Sequence, residues 1–210
     1  IQRAREKGDP VITATEMLET MTHAWRPTGA EASDVANAIE DGTSALMLSG
    51  ETAVGDHPVR VVRTMDRIAR FAERTLTMPR VEPQAIYVPE RQVTEAVAGA
   101  ACETATRLKA RALVVFTRSG FTARLLARFR RRMPIFAFTP DPVVQRQMAC
   151  YWGVQPMLFP SRVETPQDLL EGAVQALTAA GLAEEGDRLV MVAGEVEVEG
   201  TTNTMRIWTV

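Results

Sequence analysis

Cysteine is scarce in this chain: Cys102 and Cys150 are the only two, and they lie far apart and outside any Cys-x-x-Cys pattern. A disulfide framework and a zinc site are both disfavoured, and two reduced, mostly buried thiols are expected. Lysine is equally sparse, with Lys7 and Lys109 the only examples. Arginine supplies nearly all the positive charge, and the formal net charge of -2 leaves no global basic field for nucleic acid. Nucleic acid is therefore excluded as an expected partner. His23 and His57 have no neighbours at metal-ligand spacing and sit in no nucleophile or general-base motif, so surface or capping roles are expected for both. Long apolar runs are missing as well: nothing approaches the roughly 18 to 20 residues of a membrane helix. The N-terminal stretch from Ile1 to Lys7 has no signal-peptide h-region. No membrane association and a cytoplasmic location are the expectation. The first residue is not methionine, which suggests a processed or incomplete chain.

What is present is an ordinary globular mixture, 46% hydrophobic and 24% charged over 210 residues, enough for one large or two small domains. From residue 1 to about 77, short apolar strands alternate with helices in the manner of consecutive βα units. Val11 to Thr15 and Ala45 to Leu48 read as strands covered on both faces. Between them, Thr28 and Glu31 have capping-box spacing, predicting a helix from about Gly29 to Glu40 with Ala32, Val35, Ala36 and Ile39 on its apolar side. Asp41-Gly42 supplies the stop. A longer helix follows Pro58, with Val59, Val62, Met65, Ile68, Ala69 and Ala72 as its expected inward stripe.

Residues 78–92 carry Pro79, Pro83 and Pro89 with little periodicity and read as an interdomain linker. Beyond it, 93–210 alternates helix and strand. Helices are expected from Thr94 to about Leu108, Phe121 to Arg131, Pro142 to Tyr151 and Pro166 to Ala180. Strands are expected at Ala112 to Phe116, Pro134 to Phe138, Val154 to Phe159, Arg188 to Ala193 and Thr204 to Thr209. That order predicts a three-layer α/β domain with a mostly parallel sheet. Trp152-Gly153 reads as a helix end whose indole packs into the core. Arg124, Arg128 and Arg132, joined by Arg130 and Arg131, read as a solvated face, with an anion patch or subunit contact as the alternative.

Three motifs in the first segment, Val11 to Glu19, Pro27 to Asn37 and Leu46 to Ala53, occur in the order and spacing of the pyruvate kinase family, which this chain resembles. The second segment continues the resemblance through Thr94-Glu95-Ala96, Val114 to Ala123, Tyr151 to Pro156 and Gly200 to Arg206. The resemblance implies a partial (β/α)8 barrel remnant, strands seven and eight with their helices in residues 1–77, followed by the family's C-terminal α/β domain. It also implies conversion of phosphoenolpyruvate and ADP to pyruvate and ATP in a complete chain, with Mg2+ and K+, as a homo-oligomer, a homotetramer in the family.

Thr15 closes the seventh strand in this reading. Taken alone, its hydroxyl would close a strand–loop hydrogen bond; the resemblance gives it a substrate contact. Ser49, Gly50, Glu51 and Thr52 form the corresponding rim after the eighth strand. Loops at these strand ends often bind phosphate in barrels, but Glu51 would oppose an anion, so rim shaping or hydrogen bonding is its expected part. Family members usually carry arginine where this chain has Gly29, a cation near the active-site cleft and a subunit contact; its loss puts efficient catalysis and effector coupling in doubt. Thr117, Arg118, Ser119, Gly120, Phe121 and Thr122 join a strand end to a helix N-terminus, a physically sound phosphate site that in some relatives holds a sugar effector's phosphate. The alternative is ordinary capping by Ser119. Glu195, Glu197 and Glu199 in the second effector loop would repel a bisphosphate, so a single-phosphate effector or none is expected.

The family's catalytic lysine, acidic magnesium ligands, phosphate-binding arginine and potassium ligands belong to earlier barrel motifs absent from this sequence. The chain alone is thus expected to be catalytically silent and to bind no metal, with residues 1–77 poorly anchored or self-associating in isolation. The competing reading is a non-catalytic effector-binding or oligomerisation module derived from the same family.

Overall fold

The computed structural model describes residues 1–14, 16–75, 92–159, 165–194 and 202–210. Ile1–Arg80 and Val81–Val210 form two compact units. The expected linker falls almost wholly outside the described residues, as do Thr15 and the loop carrying Glu195, Glu197 and Glu199.

The first unit runs α1 (Gln2–Lys7), β1 (Ile12–Thr13), a 3-10 turn (Glu19–Thr22), α2 (Gly29–Asp41), β2 (Ala45–Leu46), α3 (Gly50–Ala53) and α4 (Pro58–Thr75). The capping box at the start of α2 is formed in full: the Glu31 amide donates to Thr28 Oγ1 at 3.2 Å, and the Thr28 amide donates to Glu31 Oε2 at 2.7 Å. Gly42, at φ +97°, ends the helix. β1 and β2 are parallel, with Ile12 opposite Ala45 and Thr13 opposite Leu46. Each is shorter than its apolar run suggests, because each has a single strand neighbour and the ladder extends only as far as both backbones stay in register. Thr43, almost fully buried, reinforces the ladder: its hydroxyl lies 2.8 Å from Thr13 Oγ1 and 2.9 Å from the Ala45 carbonyl.

The small core of this unit gathers Met17, Leu18, Met21, Val35, Val61 and Met65. On α4 the inward stripe is Val61, Thr64, Met65, Ile68 and Ala72, which differs from the expected one: Val59 is 63% exposed and Val62 52%. At 100° per residue, Val61 lies between Met65 and Ile68, whereas Val59 and Val62 are rotated off that line. The run of apolar residues made the stripe look wider than the face that α4 buries.

The second unit comprises α5 (Gln92–Arg107), β3 (Ala112–Phe116), α6 (Phe121–Arg128), β4 (Ile135–Thr139), α7 (Pro142–Met148), β5 (Val154–Leu158), α8 (Pro166–Ala179), β6 (Arg188–Gly194) and β7 (Thr202–Thr209). The sheet order is β5-β4-β3-β6-β7, parallel throughout except for β7, which pairs antiparallel with β6. Alternation along the strands divides the core into two layers. Leu113, Val115, Ala137, Val190 and Val192 face α5, α6 and α7, while Val114, Phe136, Phe138, Leu189 and Met191 face α8. This is the expected three-layer α/β domain.

Several side chains sit differently from the sequence reading. Arg128 and Arg130 are buried rather than solvated, Arg128 with Nη1 3.7 Å from Glu95 Oε1 on α5 and Arg130 with its guanidinium 5.1 Å from the Trp152 ring centroid. α6 ends at Arg128, short of the expected Arg131, so Arg130 and Arg132 lie beyond the helix, while Arg128 is covered by the Glu95 side chain of α5. Trp152 is half-buried beneath Arg130, outside the two core clusters. Cys102 is buried, and burial pushes its thiol pKa up to about 12, with a small opposing pull from Arg131; Cys150 is exposed, not buried.

Candidate functional site

Two loop clusters collect the sequence-predicted residues, one in each unit. In the first, the carboxyl ends of β1 and β2 lie side by side because the strands are parallel, and loops at this end are where barrel-type units build their sites. Glu51, in the first turn of α3, is fully buried between them. Its carboxylate accepts from the Leu18 amide at 3.0 Å and from the Ser49 amide at 2.7 Å, fastening the loop after β1 to the loop after β2. Burial pushes the Glu51 pKa up. The amide bonds from Leu18, Ser49 and Glu51 itself outweigh that, and the charge of Glu31 adds a small upward push, leaving the carboxyl below its ordinary value. Glu51 is thus a buried strut between the two loops. Since Ser49 N is already engaged, the amide nearest the turn is committed to Glu51 rather than open to an anion.

The rest of the rim is closed on itself. Thr52 Oγ1 donates to the Ser49 carbonyl at 3.2 Å. Gly50 opens α3 with space around it, since an added Cβ would meet nothing within 4 Å. The glycine that close approach does require is Gly55, which sequence reasoning passed over: a Cβ there would lie 2.2 Å from the Glu51 carbonyl oxygen. Gly55→Ala is expected to destabilise the first unit by about 2 kcal/mol, as overpacking against backbone does, measured as a lower thermal midpoint with the second unit unchanged. Glu16, next to Thr15, adopts φ +49°, a left-handed conformation that is costly for a non-glycine residue and recurs where loops shape sites. No sequence signal marked it.

Glu31 does the same work one step outward. Its carboxylate accepts from Thr20 N and Thr28 N, each at 2.7 Å, and from Thr28 Oγ1 at 2.8 Å. Burial raises its pKa, and the bonds from Thr20 and Thr28 bring it below the ordinary value. Gly29, where the resemblance places an arginine, begins α2 on the surface, and a Cβ there would meet nothing within 4 Å. Its glycine is not imposed by packing. His23 Nδ1 lies 3.1 Å from Asp56 Oδ2 on the surface, and His57 packs edge-on to Trp25.

In the second unit the loop from β3 to α6 sits at the carboxyl end of the parallel sheet, where open α/β sheets bind ligands. Gly120 is the N-cap, at φ +77°, and its amide donates to Thr117 Oγ1 at 3.0 Å. A residue with a side chain would be strained there and would also meet Met148 Cγ at 3.1 Å. The N-cap position of α6 falls on Gly120 rather than Ser119, and no side-chain cap hydrogen bond is made there. Arg118 and Ser119 form the exposed tip, Phe121 is half-buried beside Arg124, and the α6 amides open toward the loop. Thr122 is turned inward: buried, it lies 2.7 Å, hydroxyl to hydroxyl, from Thr202 at the start of β7. The structure therefore gathers Thr117, Arg118, Ser119 and Gly120 at the loop and sets Thr122 beneath it as a tie to the last strand.

Among the described residues no three His, Cys, Asp or Glu side chains come together, and the carboxylates of Glu51 and Glu31 are engaged by amides and hydroxyls.

Paired parallel βα units with braced loops, followed by a three-layer α/β domain with a mostly parallel sheet, define a two-unit α/β type of protein. The comparisons agree with that class. Residues 1–62 match the model of the pyruvate kinase barrel domain, and residues 95–208 match that of the pyruvate kinase alpha/beta domain. The chain belongs to the pyruvate kinase family. Over 208 residues, 99% of its length, it is 48% identical to a pyruvate kinase of Corynebacterium efficiens and 46% identical to one of Corynebacterium glutamicum. A pyruvate kinase of Geobacillus stearothermophilus is 42% identical over the same share. The chain spans 43%, 42% and 35% of the length of these three relatives.

Proposed function

We propose that this chain contributes the seventh and eighth βα units and the α/β domain of a pyruvate kinase, which transfers the phosphoryl group of phosphoenolpyruvate to ADP with Mg2+ and K+ in the cytoplasm. The observation that carries this reading is the match of both domain models in the family's order across the chain. Phosphoryl transfer needs positive charge and metal at the migrating group. This chain's own share is the floor of the site: the loop bearing Thr15 as a substrate contact, held against the Ser49 to Thr52 rim by Glu51. The protein acts as a homo-oligomer, with a homotetramer expected by resemblance. In the second unit, the amides opening α6 with Thr117, Arg118 and Ser119 receive one phosphate group of an effector, while Thr122 anchors the loop from below.

The test is pyruvate formation from phosphoenolpyruvate and ADP with magnesium and potassium. No turnover is expected from the 210-residue chain alone, and turnover is expected from a chain extended to the length of its relatives; an inactive extended chain would refute the assignment. In a thermal-shift titration, fructose 1,6-bisphosphate is expected to give no saturable stabilisation, and saturable stabilisation would overturn the single-phosphate reading. The second reading, a non-catalytic effector-binding or oligomerisation module, is favoured by the open position of Gly29: an arginine would fit, yet the chain does not carry one. Under that reading the extended chain stays inactive even with Gly29→Arg.

A further inference from the structure

A cleft of about 440 Å³ opens beside the N-terminal half of α4, lined by Trp25, His57, Arg60, Thr64 and the pair Arg63 and Arg67. Spacings of three and four residues put Arg60, Arg63 and Arg67 on one helix face, turned away from the Val61, Met65 and Ile68 stripe. One wall is already built: Arg60 Nε donates to the Trp25 carbonyl at 2.8 Å and its guanidinium lies 3.7 Å from the Trp25 ring centroid. His57 supports that ring from the side, 4.8 Å away at 84°. Among the described residues no carboxylate lies within ion-pair distance of Arg63 or Arg67, and the nearby acid on the helix, Asp66, is taken by Arg70 at 2.9 Å. Two like charges four residues apart repel along a helix. The arrangement is cationic, concave and aromatic-walled, and Arg63 and Arg67 have no ion-pair partner among the described residues.

We propose that this cleft binds a phosphate-type dianion, with Arg63 and Arg67 as guanidinium forks and Arg60 as a fixed cation at the Trp25 wall. Guanidinium forks match phosphate oxygens in bidentate geometry, and a dianion can satisfy two of them at once, whereas a single carboxylate serves one. The cleft's size suits a small phosphorylated molecule rather than a polymer. This site is separate from the β3–α6 loop and stands whether or not that loop binds an effector.

The experiment uses inorganic phosphate as the probe and sodium acetate at matched ionic strength as the carboxylate control, followed by tryptophan fluorescence and by amide exchange. Phosphate is expected to give a saturable signal and slower exchange at residues 57–67, and acetate is expected to give neither. The double variant Arg63→Gln/Arg67→Gln is expected to bind phosphate at least about tenfold more weakly, as loss of two charge-assisted forks implies, with α4 amides still protected without ligand. Arg63→Lys/Arg67→Lys, which keeps charge and loses the forks, is expected to fall between. Thr117→Ala/Ser119→Ala in the other loop is expected to leave the 57–67 response unchanged. Equal affinity in the glutamine variant, an equal response to acetate, or no saturable phosphate signal from protein with protected α4 amides would overturn the proposal.

Discussion

Phe138→Ala is expected to destabilise the second unit by about 4 kcal/mol, the scale for emptying a fully buried aromatic site. Phe138 lies on β4 in the layer facing α8 and is 1% exposed. Its ring stacks with Phe116 at 5.6 Å and meets Phe159 edge-on at 5.6 Å, while Phe116 and Phe159 are 6.2 Å apart. Removing the central ring opens a cavity and also leaves the two flanking rings without their mutual partner, a term of about 1 kcal/mol beyond burial. Neither neighbour can collapse inward freely: Phe116 is held on β3, and Phe159 follows directly after β5. Denaturant unfolding monitored by Trp208, which packs in the same layer, is the measurement. A loss below about 1 kcal/mol, a value typical of surface changes, would show that the layer relaxes into the space.

Glu51→Ala is expected to cost the first unit about 3 kcal/mol. The substitution leaves the Leu18 and Ser49 amides without acceptors in a buried place, and each such orphan costs about 1 to 3 kcal/mol. At 1.4 kcal/mol per tenfold, amide exchange along α2 and α4 should accelerate by about a hundredfold. Glu51→Gln keeps one acceptor oxygen and should lose less. The same carboxylate sets a pH dependence. Its folded pKa lies below the unfolded value, so its stabilisation is fully present above the ordinary carboxylate pKa and is lost as pH falls through the lowered folded value. Glu31 has the same sign. Acid should therefore loosen this unit on the low side of about pH 4, near the unfolded carboxylate range, and Glu51→Ala should flatten that dependence. An unchanged acid transition in the variant would show that other carboxylates control it.

Much of this fold could be read from the chain because local rules and tertiary packing agree. The Thr28 and Glu31 spacing gave both bonds of the capping box, and the apolar run Ala112 to Phe116 became β3 without a shift. Elements went astray where one face had to be chosen from several apolar candidates, as on α4, where Val59 and Val62 are exposed. Charged residues were harder still. Nothing in the spacing of Arg124, Arg128 and Arg132 tells that α5 will cover the middle one, because that depends on a contact between elements distant in sequence. The internal wiring of the loops was not legible. Glu51 as a bridge to Leu18 and Thr122 as a partner of Thr202 each join residues at least thirty positions apart, and Gly55 matters only because the Glu51 carbonyl happens to turn toward it.

The Arg128 and Glu95 pair constrains how this sequence can change. Each side chain is almost wholly enclosed, so replacing Arg128 alone strands the Glu95 charge away from water, at a cost of about 3 to 5 kcal/mol. Exchanging both together for well-packed apolar residues is about neutral. Positions 95 and 128 are thus expected to drift as a unit: relatives should carry both charges or neither, and intermediates with one should be rare.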